Sequence, residues 1–86
     1  MKRTRGYRIE VTHFYCFEYY EGTKKMIVEM DFREPFYILS KKLIKHWEPP
    51  YQDEILDNED KERMLSNIHK YLLSRTKPTN IILDDI

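Results

Sequence analysis

The chain has 86 residues, enough for one modest domain and too few for a second core. Its charged residues make up 35% and divide fifteen to fifteen, while 14% are aromatic; this argues against a disordered chain and against a strongly basic polyanion binder. Cys16 is the single cysteine, which excludes an internal disulfide, and no apolar run approaches the roughly 20 residues that cross a bilayer.

The charge is unevenly placed. Residues 1–46 carry ten Lys/Arg against six Asp/Glu, and residues 47–86 carry five against nine. The halves are expected chiefly to neutralise each other in the fold, although an acidic half could also meet a basic partner. The start, MKRTR, is followed by no apolar segment of signal-peptide type. Residues 1–5 read as a flexible basic N-terminus, and the cytoplasm is the expected location.

From Tyr7 to Tyr20, YRIEVTHFYCFEYY contains no Gly, Pro, Asn or Asp. Apolar and aromatic residues at odd positions alternate with a more polar even set, which predicts one long strand, with room for a bulge. EGTK follows, then KMIVEMDF alternates again. A two-residue loop at Gly22-Thr23, with glycine supplying a positive φ, would oppose Tyr19 to Met26, Phe17 to Val28, Tyr15 to Met30 and His13 to Phe32. Both apolar sets then share one face, as cross-strand packing requires.

Arg33-Glu34-Pro35 breaks the chain, and FYILS predicts a third strand. KKLIKHW fits either a short helix, through Leu39, Leu43 and Trp47, or a strand, through Leu43, Lys45 and Trp47; a strand is the favoured reading. Trp47-Glu48-Pro49-Pro50-Tyr51 then stiffens the chain, because each proline fixes its own φ and restricts the residue before it. Trp47 is expected in the core, leaving the rest of the loop exposed.

DNEDKERMLSNIHKYLLSR predicts a helix. Asp57 is a suitable N-cap, Glu59, Asp60 and Glu62 suit the positive end of the dipole, and Met64, Leu65, Ile68, Tyr71 and Leu72 form the apolar stripe. Arg75 and Lys77 favour its end and Pro78 stops it. Ile81–Leu83 offers a short last strand, whose acidic finish at Asp84-Asp85 would discourage edge pairing. The sum is a single α+β domain over residues 1–86, with an antiparallel sheet of four to five strands and one C-terminal amphipathic helix packed on one face.

No chemical constellation stands out. His13, His46, His69 and Cys16 have no metal-ligand spacing, and on one strand His13 and Cys16 would face opposite sides, so neither a metal site nor a Cys–His nucleophile is expected. With only Gly6 and Gly22 there is no phosphate-cradling loop. The acids of EILDNEDKE suit helix capping better than catalysis. A small nucleic-acid-binding or regulatory domain is the alternative. It would use the basic N-terminal half (Lys2, Arg3, Arg5, Arg8, then Lys41, Lys42 and Lys45) but is disfavoured by Glu10, Glu18, Glu29 and Asp31 among the outward residues.

Trp47-Glu48-Pro49-Pro50, then Glu54, Ile55, Glu59, Asp60, Glu62, Arg63, Met64, Leu65, Asn67 and Ile68, resemble the immunity protein 74 family of bacterial polymorphic toxin systems. There a strand ending in Trp-acid-Pro-Pro leads into an acidic, arginine-containing helix. The resemblance covers roughly residues 36–75, leaving the Tyr-rich first strand outside it. It implies a small α+β protein that is not an enzyme, needs no cofactor, and binds and neutralises a cognate protein toxin. Candidate contacts are Glu48, Pro50, Tyr51, Asp53 and Glu54, with Trp47 as anchor or support, because Trp and Tyr are enriched at binding hot spots. A homodimer through an exposed strand is a third reading.

Overall fold

The computed structural model describes residues 6–84. The basic tail of residues 1–5, and Asp85 of the acidic finish, lie outside the described residues.

The expected hairpin forms. Strands β2 (Cys16–Glu21) and β3 (Lys24–Glu29) run antiparallel with Tyr19 opposite Met26 and Phe17 opposite Val28. Gly22 sits at φ 60 in the two-residue loop, the left-handed region that a side chain disfavours. Tyr15 stays beside Met30, whose N–H donates to its carbonyl at 2.9 Å. Further out the pairing departs from expectation: the Phe32 N–H donates to the carbonyl of Phe14 rather than facing His13.

The cause is a turn inside the expected long first strand. Strand β1 (Arg8–His13) folds back on β2 through Phe14-Tyr15, with Ile9 opposite Tyr19, Val11 opposite Phe17 and His13 opposite Cys16. Nothing in that dipeptide signals a turn. The His13 side chain supplies what is missing: its Nδ1 accepts from the Tyr15 N–H at 3.2 Å, and its ring stacks on that of Tyr15. A bulge between Val11 and His13 completes the reversal. The order is β1-β2-β3, which puts β2 in the centre.

A single sheet of four to five strands does not form. Strand β4 (Tyr37–Leu39) instead pairs in parallel with β5 (Ile81–Leu83), as a separate two-stranded sheet with Tyr37 beside Ile81 and Leu39 beside Leu83. The connection explains the direction, since helix α1 (Asn58–Leu73) lies between the two strands in the chain, and a helical crossover brings the second strand back in the same sense. Pairing also continues past Leu83, because the Asp84 N–H donates to the Leu39 carbonyl at 2.8 Å.

The segment favoured as a strand, residues 41–47, is a 3-10 turn at Lys41–Leu43 followed by irregular chain. Ser40 caps it, its Oγ accepting from the Lys42 N–H, so the local hydroxyl wins over any ladder. Ile44 and Trp47 nevertheless reach the core.

Helix α1 starts where Asp57 predicts. The Asp57 carboxylate accepts from the Asp60 N–H, and that of Asp60 accepts from the Asp57 N–H, a reciprocal capping box. Met64, Leu65, Ile68 and Leu72 are buried in one cluster with Phe17, Tyr19, Met26 and Val28 of the three-stranded sheet, so the helix roofs that sheet. Each such side chain stabilises by roughly 1.5–3 kcal/mol. Tyr71 is only half-buried. Pro78 opens a further 3-10 turn, Pro78–Asn80, that delivers the chain to β5. Among the described residues no helix is long and apolar enough to cross a membrane.

Candidate protein-docking site

The loop between Trp47 and α1 is exposed chain on a fixed frame. It begins with Trp47, which is 1% exposed and stacks on Tyr19 with ring centroids 6.4 Å apart. The indole N–H has no hydrogen-bond partner among the described residues, so Trp47 contributes by packing. The next residue joins the sheet, since the Glu48 N–H donates to the Lys25 carbonyl on the outer side of β3 at 2.7 Å. Pro49-Pro50, joined by a cis peptide bond, follows and is exposed.

A second tie lies at the tip of the β2–β3 hairpin. The hydroxyl of Tyr51 is 3.1 Å from Thr23 Oγ1, and the Lys24 ammonium donates to Glu54 at 2.6 Å. The same ammonium lies over the rings of Trp47 and Tyr51, at 5.9 and 5.4 Å. Two turn bonds, from the Tyr51 N–H to Glu48 O and from the Glu54 N–H to Tyr51 O, set the backbone between these ties. The capping box at Asp57 is the third tie.

Side chains left facing solvent are Pro49, Pro50, Gln52, Asp53, Glu54 and Ile55. Ile55 is 88% exposed, flanked by carboxylates at Asp53, Glu54 and Asp57. The six sequence candidates therefore occupy one short stretch in different ways: Trp47 is buried support, Glu48 and Tyr51 are half-buried ties, and Pro50, Asp53 and Glu54 are outward. Ile55 was not among them. Its signal was an aliphatic residue, stranded in an acidic run, that fits no apolar stripe of the helix.

Beneath the ridge a polar network pins helix to sheet. Arg63 donates to both oxygens of Glu21, at 2.9 and 3.2 Å, and to Asp60 at 2.8 Å. Tyr19 donates its hydroxyl proton to Glu21 at 2.6 Å and accepts from Asn67 at 2.9 Å. Glu21 is 3% exposed, so its charge is sustained by these partners. The hydrogen bond to Glu21, then that to Asp60, hold the Arg63 guanidinium more firmly protonated than usual, against desolvation. Burial above all pushes the Tyr19 phenol up, and Arg63 first holds the Asp60 carboxyl below the usual carboxylate range.

Ion pairs cross between the basic and the acidic half in both senses. Lys24–Glu54, Lys41–Glu62 and Arg63–Glu21 each join the two halves of the chain. Asp53 and Glu59 make no ion pair among the described residues, so the ridge keeps a negative rim.

The outer face of the sheet offers less. Arg8 covers one face of the Tyr20 ring at 4.1 Å, the Tyr20 hydroxyl bonds to Glu18, and Lys25 is held by Glu18, so the ring and the cations beside it are already engaged. One premise about Cys16 fails: across the unexpected turn His13 is its register partner, not a residue on the opposite face. Cys16 Sγ lies 4.0 Å from Thr12 Oγ1, and the His13 Nδ1 is engaged by the Tyr15 N–H. Among the described residues no three His, Cys, Asp or Glu side chains converge as metal ligands.

Residues 8–81 match the family model described as Immunity protein 74. The match takes in β1 and the tyrosine-bearing β2, beyond the 36–75 stretch that carries the resemblance in sequence motifs. No curated protein and no solved structure matches the chain.

Proposed function

The chain belongs to the immunity protein 74 family, and from that premise we propose that it neutralises a protein toxin by direct, non-enzymatic binding, with residues 48–57 as the contact ridge. The observation that carries this reading is Ile55, 88% exposed among carboxylates on a backbone tied at three points. A large exposed aliphatic residue costs solvation in the free protein and is repaid when a partner covers it. A pre-ordered loop also spares much of the ordering cost of association. The surface it fits is basic with an apolar recess: charges on the rim steer the encounter, and Ile55 fills the recess. Glu48, Pro50, Tyr51, Asp53 and Glu54 border that contact, with Trp47 supporting it from within.

The test uses side chains that hold nothing in the fold. Ile55→Asp and Asp53→Lys, co-expressed with a toxin domain that the wild-type chain neutralises, should each lose growth protection. Binding should weaken by about 2 kcal/mol, roughly thirty-fold, while the circular dichroism spectrum stays native. Undiminished protection by both variants would reject the ridge. Tyr51 and Glu54 are poorer probes, because they also tie the loop to Thr23 and Lys24.

A further inference from the structure

The far end of the three-stranded sheet carries a groove that the ridge does not use. It is a concavity of about 460 Å³ lined by Val11, Thr12, His13, Phe14, Phe32 and Arg75. Its walls are exposed apolar surface, with Phe14 63% exposed, and Val11 is open beside it. Arg75 forms the rim. Its guanidinium lies 5.6 Å from the ring centroids of both Phe32 and Tyr71, and its Nη1 donates to the Tyr71 hydroxyl at 2.6 Å. Arg75 thus has a fixed position but no carboxylate partner among the described residues. A cation held beside an apolar recess matches an aliphatic side chain that is followed or preceded by a carboxylate.

The chain itself displays that chemistry, in Asp53-Glu54-Ile55-Leu56-Asp57. Ridge and groove lie at opposite ends of β2, whose six residues span roughly 20 Å. One molecule cannot bring them together, but two can. We propose that the groove receives the Ile55 ridge of a second copy of this chain, Ile55 entering between Val11, Phe14 and Phe32 while Asp53 or Asp57 meets Arg75. Strand pairing along β1 is a poorer route to self-association, because the bulge after Val11 and the Arg8–Glu10 pair interrupt that edge. The contact is head-to-tail, so each pair leaves one ridge and one groove unused and further copies can add. A single knob-and-groove contact is small, which makes the association weak and leaves the ridge available to a tighter ligand. This inference goes beyond the toxin reading and stands or falls without a toxin.

Light scattering and sedimentation of the purified chain alone decide it. The average mass should rise at least half again between about 10 μM and about 1 mM. Ile55→Asp and Arg75→Glu should each remain monomeric over that range, with Phe14→Asp as a second groove variant should Arg75→Glu disturb the helix end. An equimolar mixture of Ile55→Asp and Arg75→Glu should regain association, but only to a dimer, since one copy retains its groove and the other its ridge. A wild-type chain that stays monomeric, variants that associate as wild type does, or a mixture that stays monomeric would each overturn the proposal.

Discussion

Arg63 shows how one side chain can set the relation of helix to sheet. Its fork holds Glu21 at the end of β2 and Asp60 in the first turn of α1, and only a third of the Arg63 side chain is exposed. Burial makes the pair asymmetric: a complete network stabilises modestly, whereas a network missing one member leaves a carboxylate without its partner. Arg63→Ala should cost about 3 kcal/mol in a urea melt, the low end for a buried pair because the guanidinium is partly solvated. A loss below about 1 kcal/mol would mean that solvent already carries the Glu21 charge. Asp60, Arg63 and Asn67, part of the motif behind the family resemblance, thus act as fasteners between helix and sheet in this fold. Sequence reading took Asp60 for a helix-start acid and gave Arg63 and Asn67 no packing role, because Glu21 lies some 42 residues earlier than Arg63, beyond any local pattern.

At the scale of elements, local chemistry decided what could be read. Gly22 and Asp57 each announce a boundary through their own backbone or carboxylate, and the hairpin and helix follow from them. Gly22→Ala tests the first: open space surrounds the position, so the loss of about 1–2 kcal/mol is purely the strain of a side chain at φ 60. A thermal melt showing no loss would mean that the loop relaxes to another turn. Phe14-Tyr15 announces nothing, since its turn is closed by the His13 ring, and the long strand of the sequence reading broke there. The parallel β4–β5 pair was equally hidden, because its register depends on where a 16-residue helix returns the chain. Residues 41–47 failed for a smaller reason: one serine hydroxyl caps a 3-10 turn at Lys41–Leu43, and irregular chain follows it. The exposed loop proposed as the docking ridge was legible in outline from Trp47 through Glu54, because prolines and acids mark exposed chain. Its rigidity was not, since Lys24 and Thr23 come from the other side of the fold.

For the whole molecule, the balance of fifteen acids and fifteen bases conceals an arrangement in space. Ion pairs across the fold offset little of the asymmetry between the halves, because Arg63–Glu21 runs in the opposite sense to Lys24–Glu54 and Lys41–Glu62, and an acidic aliphatic ridge remains at one end of β2 and a cation-rimmed apolar groove at the other. The proposed toxin contact uses the first surface, and the proposed self-contact uses both, the ridge of one copy and the groove of another. Amide hydrogen exchange of the dilute chain with and without a cognate toxin domain tests the first contact directly. New protection should be greatest in residues 48–57, extend to the hairpin tip at Glu21–Lys24 through the Tyr51 and Glu54 ties, and leave Val11–Tyr15 unchanged. Protection confined to β1 or to the β4–β5 pair, with residues 48–57 exchanging as in the free protein, would contradict the account.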